Sequence, residues 1–182
     1  MIDPLSPETS GYHLFFEPAG EASVRLADTI EKLSEEYGGP LFAPHLTLLA
    51  AIPETNEEEL VHMSHTLALN LQPFTLTLEG FGAEDAYFRT LYMTVRNRDE
   101  VVRYHAIARE VFGGVDASEY LPHVSLLYGL YDTERKQESI ASLQALSPLS
   151  FEVGSLTLWH TPGAAHTWRR IGEFPVGQQG TV

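Results

Sequence analysis

Apolar and polar residues alternate along the chain with two different periods, and the switches between them mark out strands and helices in turn. Tyr12 to Phe16 is a short aromatic-rich strand closed by Pro18 and Gly20. Over Ala22 to Tyr37 the apolar positions Leu26, Ile30, Leu33 and Tyr37 recur at helical spacing, and Gly38-Gly39-Pro40 stops the helix. His45 to Ala51 is an apolar strand entered through Pro44. Glu57 to Leu71 is a second helix, with Leu60, Ser64, Leu67 and Leu71 on one face. Thr55 or Asn56 caps it, and three glutamates fill its first turn, where the helix dipole favours them. Phe74 to Gly80 alternates as a half-buried strand does.

The order then starts again. Arg89 to Val95 reads as a strand. Glu100 to Phe112 reads as a helix with Tyr104, Ile107, Ala108 and Val111 inward, ended by Gly113-Gly114. His123 to Tyr128 is a strand entered through Pro122, Thr133 to Leu146 a helix, and Phe151 to Trp159 a strand. The spacing matches as well as the order. Tyr12 to His45 and Thr90 to His123 are both 33 residues, and His45 to Phe74 and His123 to Phe151 are 29 and 28. Each half therefore reads β-α-β-α-β, the pattern of a diverged tandem duplication. The expected organisation is one bilobal domain over 1–176, with repeat halves at about 11–82 and 86–160 and a flexible tail at 177–182.

The repeat brings two short motifs into register: Pro44-His45-Leu46-Thr47-Leu48-Leu49 and Pro122-His123-Val124-Ser125-Leu126-Leu127. On a strand, successive side chains take opposite faces, so His45 shares a face with Thr47, and His123 with Ser125. The aliphatic face belongs to the core. The other looks into something polar, or else buries two polar groups at a cost. Two imidazoles facing each other form a proton-transfer pair, one taking a proton from a nucleophile and one giving a proton to a leaving oxygen. The hydroxyls two residues on can donate to an anion between them. In-line attack at a phosphodiester fits this set without a metal or other cofactor. The competing reading is a pair of matched strand-edge histidines in an inactive duplicated core. His62-Met63-Ser64 matches the same short pattern but falls within a helix, where such residues do not share a face. His62 and His65 read as a solvated face, and His105 as a mid-helix residue. His13 opens the first strand, with a cleft-rim position as the alternative.

Composition narrows the partners. The 182 residues hold 11 basic and 25 acidic side chains, a formal charge of −14, and no cysteine. Disulfides, cysteine-ligated metals and cysteine nucleophiles are excluded. The negative field repels long nucleic acids. Yet Leu41 to Ala51 and Tyr120 to Tyr131 carry no Asp, Glu, Lys or Arg, so the two motifs lie apart from the acids. The charge argues against a long phosphodiester, not against a small one. No signal peptide and no membrane span are expected, and the lack of cysteine leans toward the cytoplasm.

The paired motifs resemble those of the 2H phosphoesterase superfamily, and within it the chain is similar to the small cyclic phosphodiesterases of plants and yeast. The likeness extends to Gly39-Pro40-Leu41-Phe42-Ala43-Pro44-His45, to Ser125-Leu126-Leu127-Tyr128, to Tyr87-Phe88-Arg89 at a strand start, and to Trp168 before Phe174-Pro175. It implies an α+β fold of two pseudo-two-fold-related lobes, with antiparallel sheets flanking a cleft and helices outside. It implies hydrolysis of ADP-ribose 1″,2″-cyclic phosphate to ADP-ribose 1″-phosphate, or of nucleoside 2′,3′-cyclic phosphates to 2′-phosphates, and the expected form of the protein is a monomer. The resemblance puts His45 and His123 in acid–base roles, His45 as the donor to the leaving oxygen and His123 as the base for water, with Thr47 and Ser125 on the phosphate. Tyr128, Tyr87 and Phe15 become substrate contacts, Phe15 stacking on a base, with core aromatics as the competing reading for all three. Arg89 stands where the family has glutamine. It either adds a cation beside the phosphate or pairs with a surface acid. The alternative activities are an RNA-end phosphodiesterase or 2′-5′ ligase, and a non-enzymatic nucleotide-binding module.

Overall fold

A computed structural model describes residues 9–115 and 119–177. Eight strands and four helices follow one another as β1 (Tyr12–Phe16), α1 (Gly20–Tyr37), β2 (Leu46–Ile52), α2 (Glu57–Leu69), β3 (Phe74–Ala83), β4 (Leu91–Val95), α3 (Arg98–Val111), β5 (His123–Leu127), α4 (Thr133–Ser142), β6 (Leu149–Val153), β7 (Ser155–His160) and β8 (Arg169–Pro175). The start and stop signals act as the residue types dictate. Gly38 takes a left-handed conformation (φ 69°) that a side chain would disfavour, and there it closes α1. The Asn56 side chain accepts the Glu58 amide at 3.0 Å and opens α2.

All eight strands belong to one antiparallel sheet in the order β6-β3-β4-β5-β2-β1-β7-β8. The lobes are its two four-stranded blocks, β2-β1-β7-β8 and β5-β4-β3-β6. They join where β2 meets β5 at a single pair, Leu46 with Val124. The expected pair of sheets is thus one curled sheet, nearly parted in the middle. The core lies between the sheet and its helices. Leu26, Ile30, Leu46, Leu48, Leu67 and Leu126 are among the residues sealed there. Each strand at the junction is covered by a helix of the other half: α1 packs on β5, and α3 on β2.

Several elements differ from the sequence reading. β3 leaves the first half's strands and pairs only with β4 and β6, while β7 pairs with β1 and β8. The stretch from Phe151 to Trp159 is two strands divided at Gly154, so the 28-residue spacing lands on β6. By its place in the sheet the counterpart of β3 is β7. β8 was not foreseen: it is an edge strand whose mostly exposed pattern carries Arg169, Arg170 and Glu173, charges that suit an edge and hide the strand. Tyr87–Arg89 is a 3₁₀ turn, not a strand start, and α4 gives way to another 3₁₀ turn at Gln144–Leu146. The expected tail beyond residue 177 lies outside the described residues. Gly177 itself donates its amide to the Ala68 carbonyl at 3.0 Å.

Both motif strands carry the same irregularity. Against β1, Phe15 faces Thr47 but Leu14 faces Leu49, so Leu48 is an extra residue in β2. Against β4, Tyr92 faces Ser125 but Leu91 faces Leu127, so Leu126 is extra in β5. Each is a β-bulge placed one residue after the motif hydroxyl. The consecutive leucines of both motifs record it: alternation slips by one, and Leu48 and Leu49 are both buried, as are Leu126 and Leu127.

Candidate active site

Where β2 and β5 part, a cavity of about 250 Å³ opens between the lobes. His45, Thr47, His123 and Ser125 line it, with Phe15, Arg89 and Tyr128 around them. Tyr87 does not. It lines a separate pocket behind Tyr128, with Gly38, Gly39, Pro40 and Tyr131. His13 does border the cavity.

The two imidazoles are set by identical local chemistry. His45 Nδ1 lies 2.7 Å from the Ala43 carbonyl, and His123 Nδ1 lies 2.7 Å from the Leu121 carbonyl. A carbonyl only accepts, so Nδ1 carries the proton in both rings and Nε2 is left for chemistry. The proline between each histidine and its acceptor holds the turn that brings them together, because its ring fixes φ and favours an extended residue before it. The neighbours differ. Phe15 stacks on His45 with centroids 4.0 Å apart, whereas Tyr92 meets His123 edge-on at 5.1 Å. One face of the Phe15 ring therefore carries an imidazole. Tyr128 stacks on Phe42 at 3.7 Å, and its hydroxyl is 3.5 Å from His45 Nε2.

Burial holds both histidines below their ordinary range. His45, 8% exposed, is pushed down to about 4, mainly by burial and only partly offset by its bond to Ala43. His123 is lowered by burial first and by the Arg89 guanidinium as well. Burial raises the Tyr128 hydroxyl. Arg89 is itself paired, with Nη2 2.7 Å from Glu84, whose other oxygen accepts from the Tyr92 hydroxyl at 3.1 Å. Arg89 thus pairs with an acid while it borders the cavity. Ser125 Oγ donates to the Phe88 carbonyl at 2.8 Å, so its proton must turn away from that bond to reach a ligand.

The His45 shift has a consequence for stability. Its folded value of about 4 lies below the ordinary 6.5, so on acidification the unfolded chain takes up the proton first. The contribution is complete above about pH 6.5 and is lost as pH falls toward 4, amounting to about 3 kcal/mol. Urea unfolding at pH 7 and pH 4.5 is expected to show this loss in the wild type, and His45→Gln is expected to lack that share.

Sequence reasoning passed over Tyr120, Phe42 and Trp159. Tyr120 lines the cavity, and Phe42, Trp159 and Trp168 wall a small pocket on the far side of Phe15 and His45. An aromatic residue in a loop or on a strand carries no periodic signal that separates a cleft wall from a core position. Among the described residues no group of three or more His, Asp or Glu is placed to hold a metal ion, and no helix is long and apolar enough to cross a membrane.

A family model described as the 2′-5′ RNA ligase superfamily matches residues 19–165. The chain belongs to this superfamily, the 2H phosphoesterases. A 2H phosphoesterase is an enzyme of phosphoester hydrolysis, and the twin His-x-Thr/Ser motifs are what the cavity brings together. A relative from Arabidopsis thaliana, named cyclic phosphodiesterase, is 28% identical over 167 residues, 88% of this chain and 92% of its own. Among solved structures, apo LigT of E. coli is similar with a TM-score of 0.67 at 19% identity, covering 94% of this chain and all of LigT. LigT complexed with 3′-AMP gives 0.63 at 16% identity over the same shares. Usb1 of Kluyveromyces marxianus gives 0.52 at 14%, covering 91% of this chain and 97% of its own. These structures share the bilobal α+β fold of the 2H phosphoesterases.

Proposed function

We propose that this 2H phosphoesterase opens a small cyclic phosphodiester, either a nucleoside 2′,3′-cyclic phosphate to the 2′-phosphate or ADP-ribose 1″,2″-cyclic phosphate to ADP-ribose 1″-phosphate. The observation that carries the reading is the pair of imidazoles, each locked through Nδ1 in the same tautomer, on the wall of one cavity of about 250 Å³. The Arabidopsis relative's name supports the cyclic class, and the small cavity and the −14 charge favour a small ligand over a long strand.

The burial of His45 favours the reverse of the proton order expected from the family likeness. A ring pushed down to about 4 is neutral in neutral solution and suits a base. In this scheme His45 Nε2 takes a proton from water as the water oxygen bonds to phosphorus. The bond from phosphorus to one ribose oxygen breaks, and His123 Nε2–H delivers a proton to that oxygen. The phosphate anion between the rings restores a proton to His123 by raising its affinity for one. Thr47 and Ser125 donate to the non-bridging oxygens.

A phosphorus NMR time course in EDTA tests this. The cyclic signal of adenosine 2′,3′-cyclic phosphate or of ADP-ribose 1″,2″-cyclic phosphate is expected to give way to a single monoester. Absence of turnover on both classes overturns the proposal. An oligonucleotide end processed at the same rate overturns the preference for a small substrate.

A further inference from the structure

The strand bearing the first motif is held at two successive carbonyls by side chains from the second half of the chain. Because β2 meets β5 only at Leu46, its edge beyond that point needs other partners for its backbone. The Tyr120 hydroxyl donates to the Thr47 carbonyl at 2.8 Å, and His105, on α3, bonds the Leu48 carbonyl through Nδ1 at 2.7 Å. The two rings are stacked, 3.8 Å apart and 5° from parallel. In a regular strand successive carbonyls point to opposite edges, so two stacked rings could not reach both. The bulge at Leu48 breaks that alternation and makes the double grip possible.

His105 is 4% exposed and does not border the cavity. Its Nε2 is buried without a hydrogen-bond partner among the described residues. Such an atom costs stability, and a phenylalanine or leucine would fill the space without it. What distinguishes an imidazole there is the Nδ1–H given to Leu48. We infer that His105 and Tyr120 are positioning residues: they clamp the bulge and so aim Thr47 into the cavity. The inference rests on the proposed role of Thr47 at the phosphate.

A double-mutant cycle on adenosine 2′,3′-cyclic phosphate tests it. His105→Phe keeps the stack and loses the donor, and is expected to lower kcat/KM by about ten- to a hundredfold, as misplacement of a reacting contact does. His105→Asn restores a donor near the Nδ1 position and is expected to recover most of the loss. In a Thr47→Val background His105→Phe is expected to cost nothing further, because the group it aims is gone. Tyr120→Phe, which removes only a hydroxyl, is expected to show a smaller loss that also vanishes in Thr47→Val. It carries the cycle if His105→Phe does not fold. Additive losses, with Thr47→Val itself impaired, overturn the inference and leave the function standing. Full activity in Thr47→Val overturns the phosphate role of Thr47, and the inference with it.

Discussion

His45→Ala and His123→Ala are each expected to lower kcat/KM for a nucleoside 2′,3′-cyclic phosphate by about 10²–10⁴-fold, the usual worth of one positioned proton-transfer group. The double variant is expected to fall little below the worse single one, because a base without its partner acid leaves the reaction stalled at the same bond. Steady-state kinetics over pH give the second half of the test. kcat/KM reports the free enzyme's acid and base, and both rings lie below the ordinary histidine value of 6.5, His45 at about 4. The acid limb, where His45 gains a proton and ceases to be a base, is expected near pH 4. The alkaline limb, where His123 loses the proton it must donate, is expected below pH 6.5. The bell therefore sits on the acid side of an ordinary two-histidine profile. Full activity in either variant removes that residue from the mechanism.

Phe15→Ala is expected to be the most damaging single change to both fold and site. The side chain is 2% exposed and lies in the strand between β2 and β7. Its ring lies on His45 and within 6.0 Å and 6.5 Å of Trp159 and Trp168. Truncating a buried phenylalanine costs about 3–5 kcal/mol through lost transfer energy and an unfilled cavity. Water entering that space also relieves the burial that depresses His45, so the His45 value is expected to rise from about 4 toward 6.5. Urea unfolding reads the first effect, and proton NMR titration of the imidazole reads the second. Phe15→Leu, which keeps most of the volume but no ring, is expected to lie between. An unmoved His45 titration in Phe15→Ala shows that the stack is not what dries the ring.

The motifs were legible because proline, histidine and a hydroxyl each need a particular place on a strand, and the repeat supplied two copies of the same demand. The helices were legible from their period and their start and stop residues, to within two residues at most ends. What the pattern could not show lies in the pairing. Nothing in Phe74 to Gly80 says that the strand will leave its own half, since alternation records one buried face and not which neighbour covers its edges. β8 was lost to its arginines. Tyr87 was misplaced because a 3₁₀ turn of Tyr-Phe-Arg looks like the start of the strand it precedes. The bulges, by contrast, were written in the doubled leucines of each motif. The strict alternation assumed along each motif concealed a slip that both halves share.

The exchange of last strands carries a consequence for how this chain can be divided. A fragment ending near Ala83 holds β1, β2 and β3, yet β3 has no partner among them, because its neighbours β4 and β6 lie downstream. The remaining piece has the opposite defect: β7 and β8 pair with each other, but the β1 edge on which β7 rests is gone. Severing the chain there orphans a strand on each side rather than freeing two small proteins. The sheet is therefore complete only once strands far apart along the chain have paired. The chain is thus laced across its own seam: β3 lies in the block of β4 and β5, and β7 and β8 lie in the block of β1 and β2.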